Sequence, residues 1–197
     1  MNRTEPAILE EIRACEVCAE HLPLGPNPVL NFSARSRIAI IGQAPGRKVH
    51  ESGVPWDDPS GDRLREWLGV TKREFYDPTN FAIVPMGFCY PGKGKSGDLP
   101  PRPECAPLWH PRIFGEVTGP ELTLLVGGYA QAFYLGDTAG ATLTETVKNF
   151  REYLPERLPL PHPSPRNRFW MAKNPWFEED VLPVLAGLVW ENLQPSD

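Results

Sequence analysis

The chain has 197 residues, 41% of them hydrophobic, with a formal net charge of -5. Such a length is enough for one well-buried domain, expected here to span 1–197. The acidic balance excludes a surface coated in basic residues, although a local basic rim can still bind nucleic acid. The N-terminus, MNRTEPAILEEIRAC, is charged, and no apolar run reaches the roughly 18 residues of a membrane span. A cytoplasmic location without membrane contact is therefore expected.

In chain order, Ile8, Leu9 and Ile12 are spaced for one face of a short helix over 5–18, ending at CEVC. The segment HLPLGPNPVLNF is a proline-rich loop leading to a first strand at 37–41. IAII reads as a buried parallel strand, because such strands are covered on both faces and lose polar alternation. After the turn GQAPG the sequence predicts a polar loop, then a helix over 61–68, GDRLREWL. FAIVPMGF at 81–88 reads as a second strand broken by Pro85, running into the loop CYPGKGKSGDLPPRPEC. ELTLLVGG at 121–128 is a third strand followed by a helix start, YAQAFYLG. A fourth strand is expected within RLPLPHPSP at 157–165, and FEEDVLPVLAGLVWENL at 177–193 is a closing amphipathic helix. Strands alternating with helices imply an α/β domain, a parallel sheet with helices on both faces. Open sheets of this kind place ligands at the carboxyl ends of their strands, where Gly42, Gln43, Ala44, Pro45 and Gly46 stand.

The chain has four cysteines, at 15, 18, 89 and 105. In a reducing compartment these favour metal or catalysis over disulfides. The pair Cys15 and Cys18 can reach one ion from a single turn, and Cys89 and Cys105, flanking one loop, would complete four ligands. Zinc and an iron–sulfur cluster both suit that set, and spacing does not separate them. Read alone, Cys89 beside a strand is equally a buried apolar residue.

GQAPG after the first strand, GVPW soon after it, and HPSPRN near the C-terminus together resemble the uracil-DNA glycosylase superfamily. The four-cysteine spacing is similar to its iron–sulfur branch, and the resemblance runs from Cys15 to the last helix. It implies a four-stranded parallel sheet, a [4Fe-4S] cluster at Cys15, Cys18, Cys89 and Cys105 (zinc being the alternative), and a monomer acting on damaged duplex or single-stranded DNA. The implied enzyme is a monofunctional DNA glycosylase of base excision repair. It flips a uracil or another deaminated base and hydrolyses its N-glycosidic bond. A non-catalytic lesion-binding module on the same fold is the alternative.

By the same resemblance, Gly42, Ala44, Pro45 and Gly46 form one wall of a base pocket and Trp56 stacks on the flipped base. Ser164 lines the pocket, and His162 faces the base oxygen. Extruding a base costs a few kcal/mol, and stacking on an aromatic ring returns about 1–3 kcal/mol of it. Cleavage leaves negative charge on the base, which His162 would stabilise, and positive charge on the sugar, which a carboxylate would balance. The related iron–sulfur enzymes carry glutamate at the place of Gln43, and family-one enzymes an aspartate at the place of Ala44. The first motif here thus lacks a carboxylate. Asp58, which resembles the aspartate of the family-five DxSG motif, is the expected substitute, with Gln43 positioning base or water. Asp58 also reads as the cap of the following helix. Pro85 stands where the family places a base-reading asparagine. Arg47, Lys48, Arg166, Asn167 and Arg168 beside the two pocket motifs form the expected DNA-binding rim.

Overall fold

The computed structural model describes residues 5–194; residues 1–4 and 195–197 lie outside the described part. Four strands form one sheet: β1 (Ile38–Ile41), β2 (Phe81–Ile83), β3 (Leu122–Val126) and β4 (Arg157–Leu160). Their order is β2-β1-β3-β4, and every neighbouring pair runs parallel. The expected α/β architecture is present.

β1 shows why a run of apolar residues was needed. Successive side chains of a strand point to opposite faces, and here both faces are covered. Ile38 and Ile40 enter one cluster with Leu64, Leu185 and Val189, while Ala39 and Ile41 enter another with Ile8, Ile12, Trp109 and Ile113. The first cluster is closed by α3 (Pro59–Leu68) and α9 (Leu182–Leu193), the second by α1 (Glu5–Arg13), α5 (Cys105–Glu116) and α6 (Gly128–Leu135). The sheet is thus sandwiched between two helical layers.

Several elements differ from expectation. The polar loop after GQAPG contains α2 (Arg47–Ser52), whose sequence buries only Val49 and so shows no apolar period. β2 ends at Ile83 rather than 88, because Pro85 has no N–H for a ladder. The chain nevertheless stays alongside the first turn: Val84 donates to Ile40 O, Met86 to Gly42 O and Gly87 to Gln43 O. The outer side of β2 is paired by Asn31, which exchanges both backbone bonds with Ile83. The unforeseen helices α4 (Lys72–Tyr76) and α7 (Leu143–Lys148) both start in capping boxes, Thr71 with Glu74 and Thr142 with Glu145. α8 (Arg168–Lys173) follows the HPSPRN loop. The closing helix begins with a π-type turn over Phe177–Val181 before α9.

The chain runs from β1 outward to β2, then crosses back over β1 to β3 and β4. The direction of winding therefore reverses beside β1, and that switch point is where doubly wound sheets open a crevice.

Candidate active site

A cavity of about 520 Å³ opens there. It is lined by the whole turn from Gly42 to Gly46 after β1, by Pro85 beyond β2, by Trp56 and Asp58, and by His162, Ser164, Arg166 and Asn167 after β4. Segments far apart in sequence are brought to one place because all follow strand ends on one edge of the sheet.

His162 is held by its own loop. The Ser164 amide lies 3.2 Å from Nδ1. A backbone N–H only donates, so Nδ1 accepts, and the neutral ring carries its proton on Nε2. Burial lowers the pKa of the ring, with the nearby Asp58 charge opposing. The side-chain amide of Asn167 donates to His162 O at 2.7 Å, fixing the backbone from below. His162 is therefore a neutral donor in a loop that hydrogen-bonds to itself. Asn167, expected on the DNA rim, spends its amide inside that loop.

Trp56 occupies a left-handed backbone conformation, with φ of 58°. For a bulky residue this is an outlier costing on the order of 1–3 kcal/mol. What holds it is visible around it. A Cβ on Gly61 would sit 1.8 Å from Trp56 O, so only glycine lets that carbonyl pack against α3. Arg65 reaches the same carbonyl at 3.4 Å, is itself buried, and is fixed by Asp62 at 2.5 Å and by the ring faces of Phe75 and Tyr76. The indole lies against Gly42, where an added Cβ would meet Cζ2 at 2.8 Å, and its centroid is 5.5 Å from the His162 ring. The ring thus forms a pocket wall beside the histidine.

Of the two roles expected of Asp58, the helix cap is present. It caps α3, accepting from the Gly61 amide at 2.8 Å, and it also lines the cavity. Gln43 lines the cavity too. Of the basic residues, Arg166 lines the cavity and donates to Ser96 O at 3.3 Å. Arg47 and Lys48 are exposed on α2, Arg47 paired with Glu51 at 2.8 Å. Arg168 stacks on the exposed Phe169 ring at 4.9 Å.

Sequence reasoning missed one wall. Residues 92–99 fold back on themselves, Gly94 donating to Gly97 O and Leu99 to Gly92 O, and Ser96, Gly97, Asp98 and Leu99 face the cavity. Beneath Pro85 it also missed His110, which is buried. Its Nε2 lies 3.0 Å from Pro85 O and its Nδ1 2.7 Å from the Tyr134 hydroxyl. Since a carbonyl only accepts, Nε2 carries the proton, and burial lowers the ring's pKa to about 4. The signal in the sequence, one histidine in an apolar stretch, is indistinguishable from an ordinary core residue.

The four cysteines, all free thiols, line a second and smaller cavity with Phe88 and Trp109. Burial raises Cys89 to about 11 and Cys105 to about 12, and the neighbouring thiols add to both. The Phe88 amide points at Cys105 Sγ, 3.4 Å away. Among the described residues, no three Cys, His, Asp or Glu side chains converge as a group that would grip one ion. The thiols ring a space rather than a point.

Residues 31–186, which carry the Gly42–Gly46 turn, Trp56 and His162, match the family model of the uracil DNA glycosylase superfamily.

Proposed function

Because the chain belongs to the uracil DNA glycosylase superfamily, whose members are hydrolases acting on DNA, we propose that it flips a deaminated base into the cavity beside β1 and hydrolyses its N-glycosidic bond. The observation that carries this reading is the convergence of the Gly42–Gly46 turn, Trp56 and His162 on one cavity. Trp56 stacks on the base. His162 donates from Nε2 to the base as negative charge grows on it, an interaction of the oxyanion-hole kind. Asp58, with one oxygen committed to the Gly61 amide, uses the remainder of its charge to orient water or balance the sugar cation. Gln43 positions base or water, and Arg166, with the exposed Arg47, Lys48 and Arg168, meets DNA phosphates.

Cys15, Cys18, Cys89 and Cys105 hold a [4Fe-4S] cluster in this reading. Four thiols line one small, largely apolar cavity, a donor set of the kind that an iron–sulfur cluster or zinc takes. When bound, the cluster supplies a structural brace for the segments it joins.

The deciding experiment incubates the protein with oligonucleotides carrying uracil, hypoxanthine or xanthine and scores abasic sites by alkaline cleavage. Abasic sites in any of these substrates support the reading; intact strands throughout overturn it. A second reading is favoured by Pro85, which offers the base no amide where the family places an asparagine: a lesion-binding module without turnover. Lesion-selective binding without cleavage would establish it.

A further inference from the structure

The first motif has no carboxylate, yet a carboxylate other than Asp58 reaches the same cavity. Asp98 comes from the folded-back segment over 92–99 and lines the cavity together with His162 and Trp56. Its Oδ2 lies 3.4 Å from where a Cβ on Gly46 would be, so the carboxylate sits against the exit of the GQAPG turn. Its place is defined by the backbone around it. Asp98 pairs with Lys93 across the fold, Leu99 donates to Gly92 O at 2.8 Å, and Arg166 ties the tip through Ser96 O. On its other side stands Tyr90, whose hydroxyl is pushed up by burial and then by the Asp98 charge.

Depth decides what such a group can do. Ile83 and Pro85, both buried, make the floor of the cavity, whereas Asp98 is exposed at its rim. A base enters such a pocket first and its sugar stays at the mouth. A carboxylate on the floor would oppose charge building on the leaving base. At the mouth it lies beside the sugar, where the charge is positive.

We propose that Asp98 is a second catalytic carboxylate, set at the mouth of the pocket to stabilise the deoxyribose cation. The proposal rests on the glycosylase reading and deepens it. The C1′–N bond breaks with its electron pair leaving on the base, water adds to C1′, and the proton of that water ends on the departed base. Asp98 is unchanged at the end. Unlike Asp58, it caps none of the described helices, and the Tyr90 hydroxyl is the group that donates to it.

The test compares binding of two duplexes, one carrying a cationic pyrrolidine in place of the sugar and one a neutral tetrahydrofuran abasic site. Wild-type protein is expected to prefer the cationic duplex, and Asp98→Asn to lose about fivefold of that preference, the scale of one partly exposed ion pair. Asp98→Glu should recover part of it. Because the contact with Lys93 is made by backbone, Asp98→Asn should keep the wild-type melting temperature. An undiminished preference in Asp98→Asn overturns the proposal, and abasic-site formation by wild type in the same preparation shows that the glycosylase reading survives it. If wild type releases no base, the glycosylase reading fails. The placement of Asp98 then stands if the cation preference exists and disappears in Asp98→Asn, and falls if there is none.

Discussion

The amide of Ser164 and Nδ1 of His162, 3.2 Å apart, determine which nitrogen of the imidazole is left to face the cavity. Ser164 has φ of -56°, a value proline adopts without strain. Ser164→Pro therefore removes the N–H with little change of backbone, while Ser164→Ala keeps it and loses only the hydroxyl that accepts from the Arg166 amide. We expect Ser164→Pro to lower kcat about tenfold, the worth of one hydrogen bond, and Ser164→Ala to lower it less. Equal losses in single-turnover assays would show that the tautomer is not what matters.

His162→Ala should lose about 10²–10³ in rate, as for removal of one preorganised donor. Its pKa is lowered, mainly by burial. The active neutral form should therefore persist below the usual histidine range, and any acid limb of kcat/KM set by this ring should fall beneath about 6.5. A limb at or above that value, or full activity in His162→Ala, assigns the donor to another group.

Glycine 61 and glycine 42 make a matched pair of tests. Gly61→Ala drives a Cβ into the backbone carbonyl of Trp56, whereas Gly42→Ala meets only the edge of the Trp56 ring. The first should destabilise the protein by about 2 kcal/mol or more, since backbone cannot step aside. The second should move the ring and reduce lesion binding with a smaller loss of melting temperature. Denaturant titration beside a binding assay separates the two effects.

Buried His110 makes stability depend on pH. Its pKa is about 4 in the folded protein against an ordinary value near 6.5, so between those values the unfolded chain binds more protons. Stability contributed by the neutral ring is complete above about 6.5 and is lost as pH falls toward 4, in all on the order of 3 kcal/mol. His110→Gln should be less stable at neutral pH but show a flatter decline across that window. A parallel decline in both proteins would exclude His110 as the cause.

Anaerobically purified protein should be brown and contain iron, and Cys18→Ser should lose iron, colour and melting temperature together. A colourless, iron-free protein carrying zinc would support the alternative metal. One with neither would remove the metal proposal.

The legible parts of this chain are those where one physical demand dominates. β1 announces itself because each of Ile38, Ala39, Ile40 and Ile41 must be apolar to fill one layer or the other. The cavity walls at Gly42–Gly46, Trp56 and His162 were legible as motifs. α5 was hidden because Pro111 lies inside it and Glu104 at its N-cap makes no side-chain capping bond. α4 and α7 had readable capping boxes but lack the length that makes periodicity visible. Asp98 was hidden for a different reason. A glycine- and proline-rich loop does not declare its path, which is set by the backbone bonds of Gly92, Gly94, Gly97 and Leu99 and by Arg166 on Ser96 O.

The segment from Cys89 to Cys105 begins and ends among the four thiols, and its middle is a wall of the larger cavity beside β1. If these cysteines hold the proposed cluster, the segment is pinned at both ends and has few intermediate states available, so a molecule without the cluster is expected to lack the wall altogether. A partly loaded preparation should then behave as two populations rather than as one slowed enzyme. In a single-turnover experiment the amplitude of product formation would follow iron content, while the rate constant of the reacting fraction stayed the same.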